Sequence, residues 1–128
     1  MSEPASTLYD RLGGAEGIKR LVSAYLEALT TNPDYAALCA LYVNGLERYE
    51  ERMNEFLSGW LGGPALYQER HGMPMLRESH RSIPITGDMA ESWVLCMRQA
   101  LRATVEDEEL MLRLDGLFTH MAESLRNA

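Results

Sequence analysis

The chain has 128 residues, enough for one domain and too few for two ordinary ones. Hydrophobic residues make up 46% and charged residues 24%, a globular balance that argues against disorder. Twelve Lys+Arg against 19 Asp+Glu give a net charge of −7, which disfavours a nucleic-acid binder, and no apolar run approaches the ~20 residues of a membrane span.

The elements read as helices separated by short breakers, with no alternation long enough for a sheet. Residues 1–6 read as a loosely attached tail to a single domain over 1–128. Ser6 or Thr7 can cap a short first helix that Gly13-Gly14 ends. Ile18, Leu21, Val22, Tyr25, Leu26 and Leu29 trace the stripe of a longer helix, stopped at Thr30-Thr31-Asn32-Pro33. Asn32 caps a further piece, running from Ala36 to Tyr42 with Pro33 at its first turn.

Asn44-Gly45 is a turn signal. After it Leu46, Tyr49, Met53, Phe56, Leu57 and Trp60 share a helix face, with Glu47, Glu50, Glu51 and Glu55 largely off it, until Gly62-Gly63-Pro64. Residues 65–75 contain Gly72 and Pro74 and read as irregular or briefly helical. Leu76 to His80 fit a turn or two before Pro84. Asp88, with Glu91 three residues on, reads as the cap of a long helix presenting Trp93, Met97, Ala100, Leu101 and Thr104 on one face. The acidic run Glu106-Asp107-Glu108-Glu109 suits the start of a last helix, with Leu110, Leu114, Leu117, Phe118, Met121 and Leu125 as its buried stripe. The expected architecture is all-α, five or six helices of unequal length.

Little in the chain suggests catalysis. GxGxxG, GxxxxGK[ST] and HExxH are absent, and no Cys/His cluster has zinc spacing. Cys39 and Cys96 lie far apart and read as small buried apolar residues. With no secretory pattern in MSEPASTLYD, they fit a reducing cytoplasm. Of His71, His80 and His120, His80 has the most telling company. It closes a short helical piece between an aromatic face (Tyr49, Met53, Phe56, Trp60) and a helix bearing Trp93 and Met97. A single imidazole presented to an apolar slot is how proteins hold haem. On spacing alone, an ordinary core with one satisfied histidine is the simpler reading.

Longer strings shift that balance. FLSGWLGGP at 56–64, then Tyr67, HGMPMLRESH at 71–80 and WVLCM at 93–97 with Ala100-Leu101, closely resemble the second group of truncated haemoglobins. LYDRLGG at 8–14 resembles the same family's N-terminal signature, so the likeness runs from about Leu8 to Leu125. The resemblance implies a shortened globin, two helices packed on two helices around haem b.

It places His80 as the proximal iron ligand and Trp93 as a distal indole able to donate a hydrogen bond to a bound diatomic ligand. Tyr42 falls where the family places a distal aromatic residue. Arg77 and Tyr67 match propionate partners; Arg52, on the helix lining the distal side, is a further candidate because a guanidinium pairs well with a carboxylate, and Leu76, Phe56, Met53 and Met97 are the candidates for the wall of the slot. Where the group usually has a distal tyrosine on the long second helix, this chain has Leu26, with Tyr25 one residue earlier; Tyr49 is a candidate for the displaced hydroxyl. Ser82 and Ile83 stand where proline and phenylalanine usually follow the histidine.

The implied function is reversible binding of O2, CO or NO, with an unidentified reductase as partner and a monomer or homodimer as the assembly. A haem redox enzyme, peroxidase-like or NO-consuming, and a haem-free helical sensor or interaction module are the alternatives.

Overall fold

The computed structural model describes residues 7–42 and 45–128. The expected tail at 1–6, Ser6 as a cap and Asn44 of the turn signal lie outside the described residues. Among the described residues the fold is all-α. The helices are α1 (Leu8–Leu12), α2 (Gly14–Thr31), a 3-10 turn (Pro33–Tyr35), α3 (Ala36–Cys39), α4 (Leu46–Trp60), α5 (Leu66–His71), α6 (Leu76–Ser79), α7 (Gly87–Thr104) and α8 (Glu108–Ser124). The count exceeds the five or six expected because α1, α3, α5 and α6 are pieces of one or two turns, too short to carry a periodic stripe.

Local chemistry sets most boundaries. Thr7 and Asp10 form a reciprocal capping box on α1, and Asn32 accepts from the Asp34 N–H with Pro33 following. α7 departs from the expected Asp88 cap. Thr86, in extended conformation, accepts from the Met89 N–H at 3.2 Å, so the helix already begins at Gly87. In the acidic run, Asp107 is the residue that caps α8.

α2 packs on α7 along one side and on α4 along the other, and α7 packs on α8. The core between them is fully buried at Tyr25, Leu21, Val22, Leu29, Leu57, Cys96, Met97, Leu101, Leu114 and Phe118. Arg98 clasps Asp115 through two hydrogen bonds, at 2.7 and 3.1 Å, and ties α7 to α8. The expected α8 stripe needs correcting at Leu117. The buried series is Leu110, Leu114, Phe118 and Ala122, and Leu117 lies off it, 37% exposed. Met121 and Leu125 are half-buried because they face a cavity rather than the core.

Two glycines allow close crossings. A Cβ on Gly63 would overlap the Tyr9 ring, which covers that corner. A Cβ on Gly17 would overlap the Leu12 carbonyl, 2.6 Å from its carbon. In an open helix, Gly→Ala gains about 1 kcal/mol of propensity. Here the obstacle is backbone that cannot swing aside. Gly17→Ala is therefore expected to destabilise by about 1–3 kcal/mol, seen as a lower urea midpoint at unchanged m-value.

Candidate functional site

α4 and α7 both pack on α2 and make little contact with each other. The gap between them is a cavity of about 430 Å³, a size typical of small-molecule sites. α4 contributes Arg48, Tyr49, Arg52, Met53 and Phe56, and α7 contributes Met89, Ala90 and Trp93. Leu76, Ser79 and His80, followed by Ser82, Ile83 and Ile85, form the opposite wall, and Tyr67 and Tyr42 close two sides.

His80 ends α6, a single turn, and its imidazole is fixed locally. Nδ1 lies 2.6 Å from the Leu76 carbonyl oxygen, with the Ser79 hydroxyl at 3.2 Å. A carbonyl only accepts, which assigns the proton to Nδ1 and leaves the lone pair on Nε2. This is the tautomer that an imidazole uses to bind a metal while a second partner orients it.

Across the cavity stands an aromatic network. Trp93 Nε1 donates to the Tyr49 hydroxyl at 3.3 Å, and the Tyr25 and Tyr49 hydroxyls are 2.9 Å apart. The Tyr42 ring stacks on Tyr49 with centroids 3.9 Å apart. Burial raises all three phenols above the usual tyrosine range; at Tyr25 the neighbouring phenols push further the same way, and at Tyr49 burial outweighs the lowering by the hydrogen bonds from Tyr25 and Trp93. They therefore remain protonated donors at physiological pH. Tyr49 can accept from both Trp93 and Tyr25, since a hydroxyl has two lone pairs and one proton. Its own proton is then left for the Tyr42 hydroxyl or for a ligand in the cavity.

The sequence reading places Glu55 largely off the apolar face of α4, a position that ordinarily meets water. It is instead 2% exposed, because α5 folds over it. Arg70 Nη1 and His71 Nε2 meet its two oxygens at 2.8 and 2.9 Å. Burial pushes this carboxyl up, but the hydrogen bonds from Arg70 and His71 outweigh it and hold the group below its ordinary range. His71 thus sits at the end of α5 and helps hold that helix, and Tyr67 with it, against α4. His120 is exposed on α8. Cys96 is buried, its thiol pushed up to about 12 mainly by desolvation, and Cys39 is half-buried; both are free. Such a thiol packs rather than reacts.

Of the residues singled out from sequence, His80, Tyr67, Arg52, Met53, Leu76, Phe56, Trp93, Tyr42 and Tyr49 line the cavity. Met97 and Leu26 are core residues away from it, and Tyr25 stands behind the lining residues Tyr49 and Trp93. Arg77 is exposed and donates to the Ser124 carbonyl at 3.2 Å. Sequence reasoning missed Arg48, Ile83, Ile85 and Met89. Arg48 stands one turn before Arg52, a spacing that signals a shared face. Ile83 and Ile85 flank Pro84, an alternation that in an extended segment puts both side chains on one side.

A family model described as bacterial-like globin matches residues 7–127. A group 2 truncated hemoglobin of Bacillus subtilis (strain 168) is 34% identical over 101 residues, 79% of this chain and 74% of that protein. Among solved structures, the cold-adapted truncated hemoglobin of the Antarctic marine bacterium Pseudoalteromonas haloplanktis TAC125 superposes with TM-score 0.93 at 32% identity, covering 96% of this chain and 99% of that one. The group II 2-on-2 hemoglobin of the plant pathogen Agrobacterium tumefaciens gives TM-score 0.93 at 33% identity, covering 99% and 98%. The two helix pairs, the cavity between them and these likenesses agree: the chain belongs to the bacterial-like globin family, among the group II truncated hemoglobins, and with that family goes haem binding.

Proposed function

We propose that this protein holds haem b in the cavity between α4 and α7 through His80 and reversibly binds dioxygen there. The observation that carries the reading is the His80 tautomer: Nδ1–H is engaged by Leu76, and Nε2 is left as a donor atom on a residue lining an apolar slot. The remaining residues fit the group. Arg48 and Arg52 line the same cavity, and neither pairs with a carboxylate among the described residues, so both guanidinium groups are available to the propionates. Tyr67 lines the cavity beside Phe56.

Ferrous haem supplies the open coordination position at which a small diatomic ligand binds. The chain supplies the donors around it. Tyr49, anchored by Trp93 and Tyr25, offers its hydroxyl proton, and Trp93 can redirect its indole N–H. A ligand with partial negative charge is held more tightly by such donors and leaves more slowly. The same reading takes CO and NO as further ligands and a reductase as electron donor, in a cytoplasmic setting. A structural relative from Bacillus subtilis, described as a truncated oxygen-avid haemoglobin, superposes with TM-score 0.84 at 30% identity and supports dioxygen as the ligand.

The test is the dioxygen dissociation rate by stopped flow. Trp93→Phe and Tyr49→Phe should each raise it roughly tenfold or more, the effect of losing one hydrogen bond to a charged acceptor. Unchanged rates in both variants would mean that neither group is the donor.

A further inference from the structure

The final residues of the chain hold the segment that carries His80. Between α6 and α7, residues 80–86 form no helix or strand, and their backbone groups need partners from elsewhere. Turn bonds supply some, such as Ile83 N–H to the His80 carbonyl at 3.0 Å. Asn127 supplies four more. Its Oδ1 accepts from the Ile85 N–H at 2.8 Å, and its Nδ2 donates to the His80 carbonyl at 3.1 Å and to the Ile83 carbonyl at 3.0 Å. Its backbone N–H donates to the Ile85 carbonyl at 3.0 Å.

One carboxamide thus spends its acceptor and both donors on residues 42 to 47 positions away. All three residues it grips, His80, Ile83 and Ile85, face the cavity. The imidazole itself is oriented from the other side by Leu76. Only an amide side chain combines these roles at this reach, since Asp lacks the donors and Ser lacks the span.

We infer that Asn127 is a positioning residue for His80. It clamps the backbone of the imidazole's own residue and of the two isoleucines beside it, so that the ring stays aimed into the cavity. The inference rests on the reading of His80 as the iron ligand.

Two substitutions separate this role from simple anchoring of the chain end. Asn127→Ala removes all three side-chain bonds. Asn127→Asp keeps the acceptor for Ile85 and loses both donors. Glu123→Ala is the control, breaking only the exposed Arg126–Glu123 pair nearby. Three readouts apply: amide exchange at Ile85 by NMR in haem-free protein, haem loss to excess acceptor apoglobin, and the ferrous iron–imidazole stretching band.

In Asn127→Ala, Ile85 exchange and haem loss should both rise about tenfold, and the band should shift or broaden. Asn127→Asp should keep Ile85 protected yet lose haem as fast as the alanine variant. Glu123→Ala should match wild type throughout. Wild-type haem retention and an unmoved band in both Asn127 variants would overturn the inference. Failure of the wild-type chain to take up haem would overturn the reading of His80 itself and this role with it. The exchange data, taken without haem, tell the two failures apart.

Discussion

His80→Ala is expected to leave a folded protein that no longer retains haem. Outer partners of metal ligands are commonly worth about 10–100-fold in affinity, so removing the ligand itself should weaken haem binding by more than roughly a hundredfold. Among the described residues lining the cavity there is no second histidine and no cysteine. The phenols of Tyr42 and Tyr49 are held protonated by burial, which makes them poor ligands. The fold should survive, because His80 is only half-buried and lies outside the core of α2, α4, α7 and α8. Haem titration followed at the Soret band measures the effect, and free imidazole should restore binding by entering the space the side chain leaves. A variant that loads haem with wild-type affinity would show that another residue holds the iron.

Phe118→Ala is expected to be the most damaging change away from the iron. Phe118 is 1% exposed on α8, with its ring centroid 5.4 Å from that of Trp60 and 5.7 Å from that of Trp93. Truncating a buried phenylalanine costs about 3–5 kcal/mol, against a total stability of about 5–15 kcal/mol for an ordinary domain. Chemical denaturation should show a large fall in midpoint. Trp93 also loses the ring it meets edge to face, so the variant should perturb the cavity wall as well as stability. Leu117→Ala, one residue earlier on the exposed side, should change stability by no more than about 0.5 kcal/mol. Equal effects at 117 and 118 would mean that the burial pattern of α8 is wrong.

The long helices are readable because their apolar residues recur at helical spacing; recognisable caps mark the start of α8 at Asp107 and of two short pieces at Thr7 and Asn32. The one-turn pieces are less so, since α3 and α6 hold four residues each and owe their shape to what they pack against. The Glu55 reversal has the same origin. Its place on α4 reads as solvent-facing, and only the folding back of α5 supplies the guanidinium and imidazole that make its burial tolerable. At the site, His80 and Trp93 lie in short motifs that carry the family likeness, whereas Arg52 stands out only as a guanidinium on the lining helix and Tyr42 only by its place after the third helix. Arg77 belongs to the same string as His80, directly after the cavity-lining Leu76, yet donates to the Ser124 carbonyl on α8, because adjacent positions on a helix face different ways. Asn127 carries no sequence signal, since its partners lie 42 to 47 positions upstream.

The hydroxyl of Tyr25 has a consequence for how relatives of this chain are compared. Leu26 occupies the position where the group usually carries its tyrosine, and a column-by-column alignment would score the chain as lacking that phenol. The phenol is nonetheless present. It starts from the neighbouring position, roughly 100° around the helix, and is delivered to the cavity by hand-off to Tyr49 on another helix. Sorting such proteins by the residue in one column would therefore misfile those that meet the same chemical need with a two-residue relay. A more reliable key is the set of hydroxyls that can meet at one point in space.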